Sequence, residues 1–369
     1  MGSAKRRVLM VMEPLIGGTL RHLEGLVQGL DPERFELTLA VSFRRDETVR
    51  ARAAGWPVER LVEVRMEREP RPLRDTAALV RLRKLIKRGR FDVIHTHSSK
   101  GGFLGRLAAR LAGFGGRVVH TPHIFPFEHG WHPTVCAFYA MLERRALAWT
   151  DVIVALTAYQ KLRAMQALGA AADRVQVVPN GVDAERFRPM GAAPAREMLA
   201  IDPGAFVVAF VGRPVVQKGM DVLVRALTGR REVTVLHAGG MTRPEGVAPG
   251  VDWRGLGVLE DIRPVYAAAD AVAVPSRFEG MPYVVLEAMS MGRPVVASAL
   301  PGLDELVENR QTGLLVMPED AAALGRALER LREQPRLAAR LGAAAREAAL
   351  ARRLRSQIEA TERIYAGEA

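Results

Sequence analysis

Glu279 and Glu287 are the residues whose type and spacing most plainly suit chemistry. They stand in PSRFEGMPYVVLEAMSMGRPVVAS (275–298), with seven residues between them. The apolar run AVAVP leads in, and PVVAS leads out after a Gly-Arg-Pro break. That pattern predicts strand, loop, short helix and strand, with Glu279 in a Gly-flanked turn and Glu287 more than one turn into the helix. Two carboxylates fixed several ångströms apart cannot share one role, and they suit opposite ends of a polyhydroxylated ligand. Pro282 is expected in the first helical turn, which tolerates its missing N–H. Gly280 and the N–H groups of Met281 and its neighbours would then approach a ligand closely. The plainer alternative is two surface glutamates paired with arginines, and the flanking strands weigh against it.

A second constellation is cationic. Gly212-Arg213 closes the run AFVVAFVG, and Lys218-Gly219 opens the next helical stretch. In a parallel sheet, ligands bind beyond the carboxyl ends of the strands, and a helix N-terminus attracts anions. Two cations beside exposed N–H groups suit a diphosphate. Solvated loop charges are the competing reading.

Histidine is clustered: six of the eight lie between 95 and 132, at His95, His97, His120, His123, His129 and His132. Such clustering raises the question of a metal. Nearby carboxylates are few, only Asp92 and Glu128, and no HExxH appears. His95 and His97 alternate along a strand and are expected to face opposite ways. No metal site is therefore expected, and packing or polar lining is preferred, with His123 the best functional candidate.

These residues need a scaffold, and the pattern of elements supplies one. In the first half, strands are predicted at 8–12, 35–42, 91–97, 117–122, 151–156 and 174–180. Helices are predicted at 17–30, 73–88, 101–112, 134–148 and 158–168. The second half repeats the alternation, with strands at 205–212, 233–240, 251–255, 269–276, 294–298 and 313–316. Its helices fall at 219–228, beside the paired glutamates, and at 319–332, 335–349 and onward to about Tyr365. Strands alternating with helices imply parallel sheets with helical crossovers, here an α/β chain of two Rossmann-like domains. PNGVDAERFRP (179–189) is the expected break, giving an N-terminal domain of 1–182 and a C-terminal domain of 183–349.

Length agrees, because 369 residues exceed one ordinary core. The single cysteine, Cys136, excludes an internal disulfide framework and a cysteine-rich zinc site. No stretch approaches the roughly 20 apolar residues needed to span a bilayer. Lys5, Arg6 and Arg7 precede an apolar run as in a signal peptide, but Glu13-Pro14 interrupts it and a core strand is the better reading. A cytoplasmic protein is expected. Residues 1–182 carry 29 Lys+Arg and 17 Asp+Glu, against 24 of each in 183–369, so the whole net charge of +12 lies in the first half. A basic face can meet nucleic acid, anionic lipid or phosphorylated substrates, and Arg-rich composition is the neutral explanation. The stretch Arg71–Arg90 joins eight basic residues to an apolar stripe of Leu79, Leu82, Leu85 and Ile86. It reads either as a helix lying on an anionic membrane or as a core-facing stripe with a solvated basic back.

GGTLRHLEGL, HTHSSKGGFLGRLAARLAG, PNGVDAERFRP, VGRPVVQKGMDVLVRAL, the paired-Glu segment with its E-x7-E spacing, and LPGLDELVENRQTGLLV stand in one order along the chain. Together they resemble the retaining GT-B glycosyltransferases of family 4, over most of the sequence. The resemblance implies two Rossmann-like domains facing across a cleft, with a last helix, 350–369, crossing back to the N-terminal domain. It implies a C-terminal domain that holds a nucleotide-diphosphate sugar, UDP-sugar favoured, with no metal or other cofactor. Arg213 and Lys218 would bind the diphosphate, Glu279 would sit near the sugar hydroxyls with Gly280, Met281 and Pro282, and Glu287 would bind the ribose. Gly17 and Gly18 would form an N-domain loop facing donor phosphate and acceptor, with His97 on the acceptor side and His123 beside the reacting sugar. The acceptor would be a hydroxyl of a glycan, a lipid-linked molecule or a small molecule, as in polysaccharide biosynthesis. Peripheral association with the inner face of an anionic membrane would go with a lipid-linked acceptor. A GT-B sugar-nucleotide epimerase and a basic nucleic-acid-binding protein are the alternatives. The Gly17-Gly18 loop with the paired glutamates argues against the first, and the lack of a stacking or helix-turn-helix motif against the second.

Overall fold

The computed structural model describes residues 5–44, 46–128 and 130–368. The chain divides into two units, one ending at Asn180 and resuming at Arg355, the other Gly181–Leu354.

The first unit is a seven-stranded parallel sheet in the order β3-β2-β1-β4-β5-β6-β7. Its strands are β1 (Arg6–Met12), β2 (Phe35–Val41), β3 (Arg60–Glu63), β4 (Val93–His97), β5 (Arg117–Thr121), β6 (Val152–Ala155) and β7 (Val175–Val177). The helices between them are α1 (Gly17–Gly29), α2 (Val49–Ala53), α3 (Pro72–Gly89), α4 (Ser99–Ala112), α5 (Pro133–Leu147) and α6 (Ala158–Arg163). β1 is apolar and buried from Val8 to Met12, and β4 is buried along its whole length although His95, Thr96 and His97 are polar, as strands covered on both faces must be. Helix α4 lies close on the sheet because its inner face is glycine: a Cβ at Gly105 would stand 2.7 Å from the Thr96 methyl carbon, and one at Gly101 would stand 2.9 Å from the backbone N of Glu13.

The second unit is a six-stranded parallel sheet, order β10-β9-β8-β11-β12-β13. It comprises β8 (Phe206–Val211), β9 (Val233–Ala238), β10 (Val251–Gly257), β11 (Ala271–Val274), β12 (Val295–Ser298) and β13 (Gly313–Val316). Its helices are α7 (Ala192–Met198), α8 (Met220–Ala226), α9 (Arg263–Ala268), α10 (Tyr283–Ser290), α11 (Ala321–Glu333) and α12 (Pro335–Leu350). The last helix, α13 (Leu354–Ala366), packs on the first unit, where Tyr365 is fully buried and its carbonyl accepts from Arg6 Nη1 at 3.1 Å.

Both sheets reverse strand order once, between β1 and β4 in one unit and between β8 and β11 in the other. The loops leaving those strand pairs diverge to opposite faces and open a crevice at the carboxyl ends.

The basic helix resolves in favour of the core. On α3, Ala78, Leu82, Leu85 and Ile86 are buried, Leu79 is partly buried against the same cluster, and Arg81, Arg83, Lys84, Lys87 and Arg88 are exposed. Its apolar stripe is therefore spent on packing and is not offered to a membrane.

Candidate functional site

In the second unit, the switch point joins two loops. The loop after β8 turns through a 3-10 segment, Val216–Lys218, to Gly219, which adopts φ +66°. A Cβ at Gly219 would lie 1.9 Å from the Pro275 carbonyl oxygen, so only glycine lets this loop rest against the one after β11. The two are then stitched together: Arg277 N donates to Gln217 O at 2.8 Å, and Gln217 Nε2 donates to Phe278 O at 3.1 Å. Arg277 Nη1 also reaches Val216 O at 2.6 Å.

That stitching sets Lys218 Nζ 2.6 Å from Glu279 Oε1, which also accepts from Ser276 Oγ at 2.7 Å. The Glu279 side chain is 6% exposed and that of Lys218 is 21% exposed. At the end of β8, Gly212 N donates to Ala238 O at 2.8 Å, and Gly239 at φ +114° leaves room for the Gly212 carbonyl and the Arg213 N. His237 Nε2 lies 3.0 Å from that carbonyl oxygen, and burial lowers the pKa of His237, which keeps its ring neutral.

Glu287 occupies the fifth position of α10 and is 5% exposed. Its Oε2 accepts from the hydroxyl of Tyr266, on α9, at 2.8 Å. The sequence pattern does not single out Tyr266, because the six residues RPVYAA are too few for a helical period to register. Asp261, whose Oδ1 accepts from Arg263 N, and Pro264 in the first turn are the helix-start signals there. Pro282 stands one place earlier than expected. It precedes α10 as the N-cap at φ −74°, ψ 125°, an extended conformation, and the first helical N–H belongs to Tyr283.

The first unit gathers a different group at its own switch point. Gly17 and Gly18 are not a loop: they are the first two residues of α1, with Gly17 at φ +52°. One turn on, His22 turns inward. His97 ends β4, and His123 follows β5 at φ +60°, a strained conformation for a residue with a Cβ. The Gln160 amide fixes that backbone by donating to the His123 carbonyl at 2.8 Å.

His95 and His97 do not face opposite ways. Side chains two apart on a strand share a face, and the two rings lie 4.0 Å apart. His95 is fully engaged, with Tyr365 Oη 2.6 Å from Nδ1 and Thr121 Oγ1 2.8 Å from Nε2. His120 is engaged through Thr96, with Nε2 3.9 Å from Glu143, which pairs with the buried Arg106 at 2.7 Å. Burial lowers the pKa of all five inward histidines, that of His22 to about 4. His132 is exposed at the start of α5, and His129 lies outside the described residues.

Among the residues singled out by sequence, the structure thus brings Lys218 and Glu279 into contact, with the Arg213 backbone at the neighbouring strand end. Glu287 is anchored separately through Tyr266, and His97 and His123 meet in the first unit.

Two family models cover most of the chain. "Glycosyltransferase Family 4" matches residues 16–186, and "Glycosyl transferases group 1" matches 205–334. The UDP-Gal:alpha-D-GlcNAc-diphosphoundecaprenol alpha-1,3-galactosyltransferase of Escherichia coli is 33% identical over 275 residues, which is 70% of this chain and 71% of that one. The D-inositol 3-phosphate glycosyltransferase of Saccharomonospora viridis is 33% identical over 300 residues, 74% of this chain and 69% of its own. Among solved structures, sucrose-phosphate synthase from Thermosynechococcus elongatus matches with a TM-score of 0.81 at 22% identity, covering 99% of each chain. Anabaena HepE in complex with UDP-glucose matches with a TM-score of 0.81 at 21% identity, over 98% of this chain and 99% of that one.

Proposed function

The chain belongs to glycosyltransferase family 4, the group 1 glycosyltransferases, and from that premise we propose how its residues divide the work. It has the GT-B fold and is a nucleotide-sugar glycosyltransferase. The donor we propose is a UDP-sugar. The E. coli relative is named for UDP-Gal, and the Anabaena structure holds UDP-glucose.

Lys218 and Arg213 hold the donor diphosphate beyond the end of β8. Glu279, already oriented by Ser276, meets the sugar hydroxyls together with the backbone of Gly280 and Met281. Glu287 receives the ribose hydroxyls while Tyr266 holds its other oxygen. The N-terminus of α1 at Gly17 and Gly18 offers unpaired N–H groups to an anion. His123 is the first-unit group beside the reacting sugar, and His97 stands on the acceptor side.

Transfer forms a bond from the acceptor oxygen to the anomeric carbon and breaks the bond from that carbon to the diphosphate oxygen. The acceptor proton passes to the departing phosphate, and UDP leaves. Family membership implies retention, with the acceptor approaching from the side the leaving group vacates. Negative charge grows on the diphosphate as the bond breaks, and fixed cations and N–H dipoles there are each worth about 2–4 kcal/mol of barrier.

For the acceptor we propose a hydroxyl on a lipid-linked diphosphate glycan, the class named for the E. coli relative. The basic first unit supports this reading.

The observation that carries the proposal is the Lys218–Glu279–Ser276 cluster between two interlocked loops at a switch point. The test is donor hydrolysis across UDP- and GDP-sugars, with Lys218→Ala and Glu287→Ala. Both substitutions are expected to cut turnover at least ~100-fold. Near-native rates in both would remove the site.

A further inference from the structure

His123 stands at the apex of a tight turn. Ile124 N donates to Pro122 O at 2.8 Å across it, and the central φ is +60°. A three-residue turn with positive φ is the rare and strained form, because a Cβ crowds the backbone there. Among the described residues, seven other than glycine have positive φ, and His123 is the only one of them that is buried. The others lie on exposed or half-exposed turns and helix ends. A buried residue keeps such a conformation only where its neighbours over-determine it.

The neighbour here is Gln160, near the start of α6 and itself 3% exposed. Its Nε2 donates to the His123 carbonyl at 2.8 Å, across 37 positions of chain. Its Oε1 accepts from Leu156 N at 2.9 Å, and its own N donates to Thr157 Oγ1 at 3.0 Å. An oxygen facing an N–H and an NH₂ facing a carbonyl fix which end of the amide points where. Thr157-Ala158-Tyr159-Gln160 has the capping-box pattern of a helix start. A cap uses only the side-chain oxygen at its last position, so glutamate would serve it equally. Only glutamine can also donate, and that donor is spent on the strained turn.

The ring of His123 depends on the same turn. Its Nε2 is buried and has no hydrogen-bond partner, so no bond at that nitrogen aims the ring. It meets His22 edge-on with centroids 4.7 Å apart and stacks on His97 at 5.5 Å. A return of φ to the ordinary negative range would swing the Cβ, and the ring with it, away from both.

We propose that Gln160 is a positioning residue for transfer: its amide holds the turn Pro122–Ile124 so that the His123 ring stays aimed. The inference rests on the reading that places His123 beside the reacting sugar. Gln160 acts through His123 and takes no part in donor binding, which belongs to residues of the second unit.

The experiment follows hydrolysis of UDP-glucose and UDP-galactose by the full chain in four forms: the parent, His123→Ala, Gln160→Met and the double variant. Gln160→Met keeps the length and the burial but cannot donate. It is expected to lower kcat at least ~10-fold, or ~1.4 kcal/mol of barrier, with the donor KM within about twofold. His123→Ala is expected to lower kcat at least as far. The double variant should be no slower than His123→Ala alone, because no ring is left to aim. Gln160→Glu keeps the acceptor for Leu156 N and loses only the donor, and it repeats the cycle with the same expected result. Circular dichroism and UDP titration check that each variant is folded. Unchanged turnover in His123→Ala would remove His123 from the reacting sugar, and this inference with it. If His123→Ala is slow, the inference alone is overturned by near-parent kcat in both glutamine variants, or by losses that multiply in the double variant. Loss of the fold in both glutamine variants would make Gln160 purely structural and overturn it as well.

Discussion

Lys218 Nζ and Glu279 Oε1 meet at 2.6 Å across 61 positions of chain, at a carboxylate almost closed to solvent. A diphosphate held by Lys218, as proposed, would compete with that carboxylate, which keeps Ser276 as a second donor. On the proposed assignment the pair would hold the cation in place for the donor. Glu279→Gln keeps the shape and removes the charge. It is expected to leave UDP affinity within about threefold while cutting kcat at least ~10-fold, because the sugar hydroxyls lose a charged acceptor. Equal kcat in steady-state assays with the best donor would show that Glu279 does nothing beyond holding Lys218.

Gly219 sets the distance between the two loops. Gly219→Ala puts a Cβ 1.9 Å from the Pro275 carbonyl at φ +66°. The backbone conformation alone costs about 1–3 kcal/mol for a residue with a side chain. Urea unfolding should show at least that loss, with a raised KM for the donor because Lys218 moves with its neighbour. A variant as stable and as tight as the parent would mean the loops adapt freely.

Tyr266 is the residue on which Glu287 leans, and its removal separates position from presence. Tyr266→Phe deletes one hydrogen bond to a buried carboxylate, worth about 1.5–3 kcal/mol. The expected result is a donor affinity about 10-fold weaker with the fold intact. Isothermal titration with UDP checks it, and unchanged affinity would place the ribose elsewhere.

The long, periodic segments were legible because burial on both faces forces near-continuous apolar strands and a 3.6-residue rhythm on the covering helices. The missed elements, α2, α7, α9 and the edge strand β3, are four to seven residues long and carry charge or proline, so their periodicity never accumulates. The paired glutamates, Arg213 and Lys218 are legible because glycine and proline punctuate the loops that carry or precede them. Tyr266 and His22 are not, since each looks like an ordinary helical residue until the chain folds. His95 and His97 show the cost of misapplying a period of two: the histidine belt becomes visible only once both rings share a face.

The five buried histidines of the first unit are expected to make the protein acid-labile. Burial lowers the folded pKa of His22 to about 4 and those of His95, His97, His120 and His123 well below the usual 6.5. Below pH 6.5 the unfolded chain therefore binds protons that the folded chain refuses. This stability is fully present above that value and drains as pH falls, at up to about 1.4 kcal/mol per pH unit for each ring. The protein should show a steep drop in Tm between about pH 6.5 and 5. A flat profile over that range would mean the rings accept protons in place.

A lipid-linked acceptor requires the enzyme to work at a membrane, and no described helix is long and apolar enough to cross one. The apolar stripe of α3 is buried, so it offers no inserting face. Helix α5 exposes Val135, Phe138 and Met141 at 39%, 52% and 48%, on one face, with Trp131 just before it and Arg144 and Arg145 beyond. Spacing of three residues aligns the apolar side chains, and a basic rim draws them to anionic headgroups. Each large apolar side chain that inserts contributes about 1.5–3 kcal/mol. Phe138→Glu combined with Met141→Glu is expected to cut sedimentation with phosphatidylglycerol vesicles more than ~10-fold, with hydrolysis of a soluble donor unchanged. Because the charge attraction is screened, the parent's binding should also weaken between low and 0.5 M salt, where the Debye length shrinks to about 4 Å. Undiminished vesicle binding by the double variant would assign the membrane face to another surface, with the basic outer side of α3 the next to test by Lys84→Glu and Arg88→Glu.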